Sequence, residues 1–358
     1  MGLPIIDSAI GRKRDQIMAV DLGSRTTKAV CLHRRGQGFA LSGFAVLDAP
    51  IYEKTLPVDL LTEHIKFIQR TLQPTSKYVC LAVGVSDALL RHAEIPRMPV
   101  PDMRRVLKLN PRNYLQQELV GHVFDCHVGA QAQRAAPNGK PREAGGPPKQ
   151  KVLVVGARKQ FVDDLVEGVK GAGLVLDRIV PGLIGPVNTF EKALPEVFAK
   201  EVVAVVDMGF KNSSICIVQE GELVLSRVVS IGGDRLTNGL AEALSISYAE
   251  AEGIKIGMPG EVQAQLESFL IPLGRELRAS IDFFEHQHDR PVTQVFVTGG
   301  SSRSESILQK LQQELIVECQ VLKPAAFLQL QLPPPQAAEI EQVAPQLTVA
   351  LGAALAVL

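Results

Sequence analysis

The sequence predicts an α/β protein built as two lobes, and three observations lead there. Apolar runs of strand length alternate with segments of helical period along most of the chain. At 358 residues the chain is longer than one hydrophobic core usually organises, the limit lying at roughly 250–300 residues. One acid-bearing turn also occurs twice, as "MAVDLGSRTTKAV" and as "VAVVDMGFKNSSICIV". Each copy is an apolar run ending in Asp and Gly, then small hydroxyl residues, then a second apolar run.

Taken in order, residues 17–21 and 27–32 are strand-like and joined by a turn too short for a crossover helix, so they form an antiparallel hairpin. Residues 60–71 have helical period, and 79–85 follow as a strand. The stretch "RMPVPDMRRVLKLNPRNYLQQELVG" gathers Arg104, Arg105, Lys108 and Arg112, a solvated face or a seat for a phosphate or acidic partner. Residues 131–151, "QAQRAAPNGKPREAGGPPKQK", are rich in Pro, Gly and basic residues without apolar period, and read as a solvated loop between strands. A strand at 152–155 and a helix at 160–172 come next. Residues 202–207 and 214–218 repeat the hairpin, and a strand at 294–298 leads to a helix at 307–315. The closing "LTVALGAALAVL" falls short of the ~20 residues that span a bilayer and suits a buried helix.

Composition narrows the function. Lys plus Arg and Asp plus Glu each number 38, and this balance argues against a nucleic-acid partner. The five cysteines show no CxxC spacing, so they read as buried thiols in a reducing compartment. At the N-terminus, "MGLPIIDSAIGRKRD" places its charges after the apolar piece, the wrong order for a signal peptide, and a cytoplasmic protein is expected. "HQHD" at 286–289 lacks further clustered ligands and reads as a solvated helix end.

The repeated turn carries the chemistry. In "DLGSRTTK", Gly23 can supply an unusual backbone angle for a plain hairpin turn. Alternatively, the backbone N–H groups form an anion nest to which Ser24, Thr26 and Thr27 add hydroxyls and Lys28 a cation. Asp21 would repel bare phosphate, but it fits beside a Mg2+ ion that keeps several waters and bridges to phosphate. Asp207, Gly209, Ser213 and Ser214 repeat the pattern. Two facing loops, one per lobe, could clasp a nucleotide's phosphates and share one metal. Neither is a Walker A loop, because GxxxxGK[ST] is absent.

Three further segments fit a nucleotide clamp. In "VFVTGGSSRSESILQKL", Gly299 and Gly300 allow close approach of a ring or phosphate, and Ser302 and Glu305 have capping-box spacing. "VVSIGGDRLTNGLAEAL" repeats the strand, glycine pair and helix with Gly232 and Gly233. "SISYAEAEGIKIG" starts a helix at Ser247, with Glu250 three residues on, and ends it near Gly257. Glu252 and Lys255 lie on one face of that helix, either as a surface ion pair or as holders of a ribose hydroxyl and an adenine edge or phosphate.

The order "DLGSRTTK", "DMGFKNSS", "SIGGDRLT", "AEAEGIK" and "VTGGSS" resembles the actin-like ATPase superfamily. Within it the chain is most similar to the PilM family of type IV pilus assembly, related to FtsA. "LRHAEIPRMPVPDMRRVLKLNPRNYLQQEL" and "VLVVGARKQFVDDLVEGVKGAGLVLDRI" resemble that family's inserted small subdomain. The likeness implies a two-lobed actin-like fold with an inserted α/β subdomain and ATP in the interlobe cleft. It further implies water-mediated Mg2+ contacts from Asp21 and Asp207. Gly23, Ser24, Thr26, Lys28 and Gly209 would line the phosphates. Glu252, Lys255, Gly299, Gly300 and Ser301 would meet the nucleoside, with Gly232 and Gly233 also at the cofactor.

The implied division places an N-terminal extension at 1–14, the first lobe at 15–92, the inserted subdomain at 93–176 and the interlobe connection at 177–200. The second lobe follows at 201–345, and 346–358 return to the first. The family also implies docking of the N-terminal cytoplasmic tail of a PilN-type membrane protein, and so membrane association through that partner. Self-association is left open by the FtsA kinship, although the apolar, uncharged C-terminus is unlike an amphipathic membrane helix.

Two departures bear on activity. Where relatives carry an acid between the lobes, "IVPGLIGPVNTF" has Pro181 and Gly182, with Asp177 and Glu191 off the expected place. Phe210 and Lys211 are bulky where the second loop usually has small residues. A kinase of this fold would need a carboxylate base near a substrate hydroxyl, and none is placed in the interlobe segment. The expectation is ATP binding with weak or absent hydrolysis.

Overall fold

The computed structural model describes residues 6–7, 14–129, 148–257 and 262–358. Its first sheet uses β1 (Ile6–Asp7), β2 (Gln16–Leu22), β3 (Thr26–Arg35), β4 (Gly38–Asp48), β5 (Tyr78–Val83), β9 (Val175–Pro181) and β15 (Leu328–Leu330). Their order is β1-β9-β5-β2-β3-β4-β15. Central strands of this sheet are apolar on both faces, because each face is covered. Met18, Val20, Ala29 and Leu81 face Leu61, Ile65 and Ile68 of α1 (Val58–Leu72) and Leu165 of α4 (Lys159–Gly171). Their neighbours Ile17, Ala19, Val30 and Cys80 face the other way, onto α11 (Pro334–Leu355). The closing apolar stretch is thus the buried second half of a helix that begins earlier than its composition suggested, at a proline-started turn.

The second sheet has order β12-β11-β10-β13-β14. Its strands are β10 (Val202–Met208), β11 (Ser213–Gln219), β12 (Glu222–Val229), β13 (Gln294–Thr298) and β14 (Cys319–Val321). Ala204, Val206, Ile215 and Val297 pack against α7 (Gly233–Leu244), α9 (Gln263–His288) and α10 (Glu305–Leu315). On the opposite face, Val203, Val205 and Phe296 meet Phe190 of α5 (Gly185–Ala193) and Phe198 of α6 (Pro195–Lys200). That cluster continues into the first lobe, so one apolar core joins the two.

A third, antiparallel sheet of order β6-β8-β7 comprises β6 (Ala88–Pro96), β7 (His122–Val128) and β8 (Lys149–Arg158). Met103 and Leu107 of α2 (Val100–Leu109) fill its own small core, with α3 (Pro111–Leu115) beside it. Most of the basic loop read at 131–151 lies outside the described residues. Its last part is corrected: residues 149–151 are already strand, because Lys149, Gln150 and Lys151 pair with Pro96, Ile95 and Glu94.

The two lobes cross at a glycine contact. A Cβ on Gly352 of α11 would lie 1.9 Å from the Gly185 carbonyl oxygen of α5. Only paired glycines let the two helices approach so closely. Asn188 Nδ2 donates to Gly352 O at 3.1 Å, and Thr189 Oγ1 to Thr348 O at 2.8 Å, which fixes the crossing.

Candidate functional site

Both repeated turns are antiparallel hairpins, with Asp21 opposite Lys28 and Asp207 opposite Ser214. Each acid sits near the end of its strand, and both line one cleft between the lobes. The cleft holds about 260 Å³ on the second-lobe side and continues into a chamber of about 340 Å³ bounded by Gly23, Ser24 and the Gly84 turn.

The glycines set the geometry of the loops. A Cβ on Gly23 would fall 2.5 Å from Thr26 O, a backbone clash that only glycine avoids, with Lys28 Nζ close by at 2.8 Å. There Lys28 Nζ lies 3.4 Å from Asp21 Oδ2. Gly209 is confined in the same way, since a Cβ there would stand 2.8 Å from Asn212 O. Gly232 packs so tightly on the second loop that a Cβ would stand 2.3 Å from the Phe210 carbonyl oxygen. The first N–H groups of α7 are already satisfied, Gly233 N donating to Gly209 O and Asp234 N to Phe210 O at 2.9 Å. Loop two and α7 are therefore one unit. Gly233 reaches the cleft wall, whereas Gly232 serves that packing.

Electrostatics at the two acids are unfavourable without a cation. Burial, and then the charge of Asp21, raise Asp207 from 3.8 to about 6. Burial also raises Asp21, against the lowering pull of Lys28. Two neighbouring carboxylates with one lysine between them suit a hard divalent ion that keeps its waters and takes further oxygens from a ligand. Among the described residues no three His, Cys, Asp or Glu side chains cluster as a protein-only metal cage, which also disposes of "HQHD" as one.

The opposite wall comes from α8 (Tyr248–Gly257) and the turn after β13. The capping box expected at Ser247 is present, with Ser247 N donating to Glu250 Oε2 and Glu250 N to Ser247 Oγ. The one expected at Ser302 is absent. A 3-10 turn over Gly300–Arg303 draws Ser302 Oγ onto Gly299 O at 2.8 Å, and Ser304 takes the N-cap position of α10 instead.

Glu252 and Lys255 are not a surface pair. Lys255 is 3% exposed and donates to Glu252 Oε2 and Thr237 Oγ1, each at 2.8 Å. Burial lowers Lys255, and its donors are spent on propping Glu252. Burial pushes Glu252 up, but the hydrogen bonds from Lys255 and Thr237 outweigh it, so its carboxylate stays charged at the cleft wall.

Gly299, at φ 92°, leaves no room for a Cβ beside Asp207 Oδ1 at 2.6 Å, and with Gly300 and Ser301 it lines the cleft. Thr26 lines the cleft from the first lobe. Asp177 and Glu191 are engaged elsewhere, Asp177 with Arg14 at 2.6 Å and Glu191 with Lys192 at 2.9 Å.

Among the lining residues that escaped the sequence reading are Arg25, Asp87 and Gln346. Arg25 had a signal, as the one long side chain among "GSRTT". Asp87 follows the Gly84 turn, and Gln346 comes from a helix far along the chain, so neither had a local one.

Two lobes, two acid-bearing hairpins and a crossing pair of helices beneath one cleft define an actin-like ATPase fold. The solved PilM–PilN type IV pilus biogenesis complex superposes with a TM-score of 0.80 at 22% identity, over 96% of this chain and 98% of that one. MreB5 of Spiroplasma citri, solved bound to AMPPNP, superposes at 0.53 and 10% identity over 95% of each chain. A family model described as type IV pilus assembly protein PilM matches residues 141–357, and the chain belongs to that family. FtsA of Streptococcus pneumoniae is 26% identical over 168 residues, a match spanning 46% of this chain and 34% of FtsA.

Proposed function

We propose that this PilM-family chain is a nucleotide-holding scaffold of a pilus-type assembly machine at the inner membrane. Mg-ATP in the cleft sets the angle between the lobes, and that angle governs docking of the N-terminal cytoplasmic tail of a PilN-type membrane protein. The observation that carries the reading is the meeting of Asp21 and Asp207, from different lobes, at one cleft. Burial, and then the charge of Asp21, raise Asp207 to about 6 there, with Lys28 offsetting only part of it. Asp21 and Asp207 would hold the ion through its waters, and the ion would neutralise phosphate charge. Lys28, Gly23, Ser24, Thr26 and Gly209 would receive the phosphates. Glu252, propped by Lys255, would take a ribose hydroxyl, with Gly300 and Ser301 against the base.

Holding is better supported than turnover. Pro181 and Gly182 stand where an acid would orient a water, and Asp177 and Glu191 are paired away from the cleft. A cytoplasmic location, with membrane attachment through the partner, accords with this role. Among the described residues, no helix is long and apolar enough to cross a membrane.

Calorimetric titration of Mg-ATP and a synthetic PilN-type tail, each alone and in the presence of the other, tests the switch. Each should tighten the other by the same factor, as linkage requires. Asp21→Ala should lower ATP affinity and remove the mutual effect. Independent binding of the two ligands, or an Asp21→Ala protein that behaves as wild type, would sink the mechanism. Steady phosphate release that is lost in Asp207→Ala would make the protein an ATPase instead.

A further inference from the structure

We propose that Arg25 reads the phosphate chain of the bound nucleotide and ties its presence to closure of the cleft. This rests on the nucleotide reading of the cleft and goes beyond it by naming a residue, a ligand group and a coupling that the repeated motif does not contain.

Arg25 sits at the tip of the first-lobe hairpin, between Ser24 and Thr26, and lines both chambers of the cleft. Its guanidinium carbon lies 5.2 Å from the ring centre of Phe210 and 5.1 Å from that of Tyr248. Both rings belong to the second lobe, one from the β10–β11 turn and one from α8. A cation of one lobe is therefore held against two aromatic faces of the other, within cation–π range. This gives a purpose to Phe210, the one aromatic residue of its turn.

The acids around Arg25 already have partners. Asp21 has Lys28. Asp234 accepts the Tyr248 hydroxyl at 3.0 Å. Glu252 is held by Lys255 and Thr237. A ring face attracts the guanidinium through its charge and offers its N–H donors no oxygen acceptor. Those donors form a planar fork that matches phosphate oxygens in pairs. A polyphosphate in the cleft would take that fork while the rings keep hold of its plane. The ligand then favours the closed arrangement over the open one, which is the condition for a ligand to shift a conformational equilibrium. Adenosine, lacking phosphate, has nothing to offer the fork.

The test is calorimetric binding of ATP, ADP, AMP and adenosine, with Mg2+ present, to wild type, Arg25→Ala, Arg25→Lys, Phe210→Leu and the Arg25→Ala/Phe210→Leu double variant. Arg25→Ala should weaken ATP about tenfold, the size of one charge-assisted hydrogen bond, with a smaller loss for AMP and none for adenosine. Arg25→Lys should recover only part of the loss, because an ammonium keeps the charge but neither the fork nor the stacking. Phe210→Leu should weaken ATP about threefold, and the double variant should be no worse than Arg25→Ala, since the ring acts through the guanidinium. Arg25 is exposed, so thermal midpoints should stay near wild type.

Equal losses for adenosine and ATP, unchanged ATP binding in Arg25→Ala, or additive losses in the double variant each overturn the proposal while leaving the nucleotide site standing. A wild-type protein that binds none of the four ligands overturns the nucleotide reading, and this proposal with it.

Discussion

Replacing Asp207 with Asn should stabilise the metal-free, nucleotide-free protein above pH 6 while destroying its response to Mg-ATP. The carboxyl ends β10, where burial and the nearby Asp21 charge raise it from 3.8 to about 6. Because the folded value lies above the unfolded one, the native state binds this proton more tightly. The stability it contributes is fully present below pH 3.8, declines as pH rises, and is lost once pH passes about 6. The full difference corresponds to about 3 kcal/mol. Asp207 retains partial solvent access, and screening brings the expectation to about 1–2 kcal/mol. Asparagine is nearly isosteric and uncharged, so the variant should recover that amount, raising the thermal midpoint by about 1–3 °C. Urea denaturation in EDTA at pH 4.5 and pH 8 reads the effect, which should be about a third as large at the lower pH as at the higher. Mg-ATP should raise the wild-type midpoint and leave the variant's unmoved. An equal gain at both pH values, or a loss of stability at pH 8, would refute the reasoning.

Two other substitutions probe the frame around the cleft. Gly352→Ala places a methyl 1.9 Å from the Gly185 carbonyl oxygen, and forcing α5 and α11 apart should cost about 2–3 kcal/mol in urea denaturation. Gly253→Ala should do the opposite: the position is helical and exposed with no atom within 4 Å of an added Cβ. A gain of up to about 1 kcal/mol is expected there, read as a higher urea midpoint with an unchanged slope.

What was legible in the sequence was local. A hairpin announces itself by two apolar runs and a short turn, so both acid-bearing hairpins followed from spacing, while the register that sets Asp21 opposite Lys28 and Asp207 opposite Ser214 did not. The Ser247–Glu250 box followed in the same way. Errors arose where a neighbouring element competed for the same residues. Ser302 has the spacing of a cap, but the Gly299–Gly300 turn closes into a 3-10 helix and takes its hydroxyl. Lys151 looks like loop until β6 offers a pairing edge. For Lys255 the sequence left a surface pair and a site role both open, because its burial against α7 is set by Gly233 and Thr237, which belong to another helix. The rings over Arg25 and the Gly185–Gly352 contact join residues from different lobes, and no window of sequence contains both partners.

The placement of these contacts argues for a device that holds an angle. At the base of the cleft the lobes are fastened by groups that cannot yield: two glycines in backbone contact and a shared apolar core. Thr298 adds to this by donating to Pro345 O at 3.0 Å and meeting Thr348 Oγ1 at 2.6 Å, which binds β13 to α11. At the mouth, the contacts across the lobes are the ring faces around Arg25 and the mutual repulsion of Asp21 and Asp207. A stiff pivot below and a weak, charge-poised contact above mean that a small ligand at the mouth has leverage over the whole second lobe. On the proposed reading, repulsion between the acids would favour an open mouth, and a divalent ion would remove it. The ring-held cation would favour a closed mouth, and phosphate would reinforce it. Both halves of a nucleotide–metal complex would then push the lobes the same way, which is what a scaffold that reports occupancy to a docked partner requires.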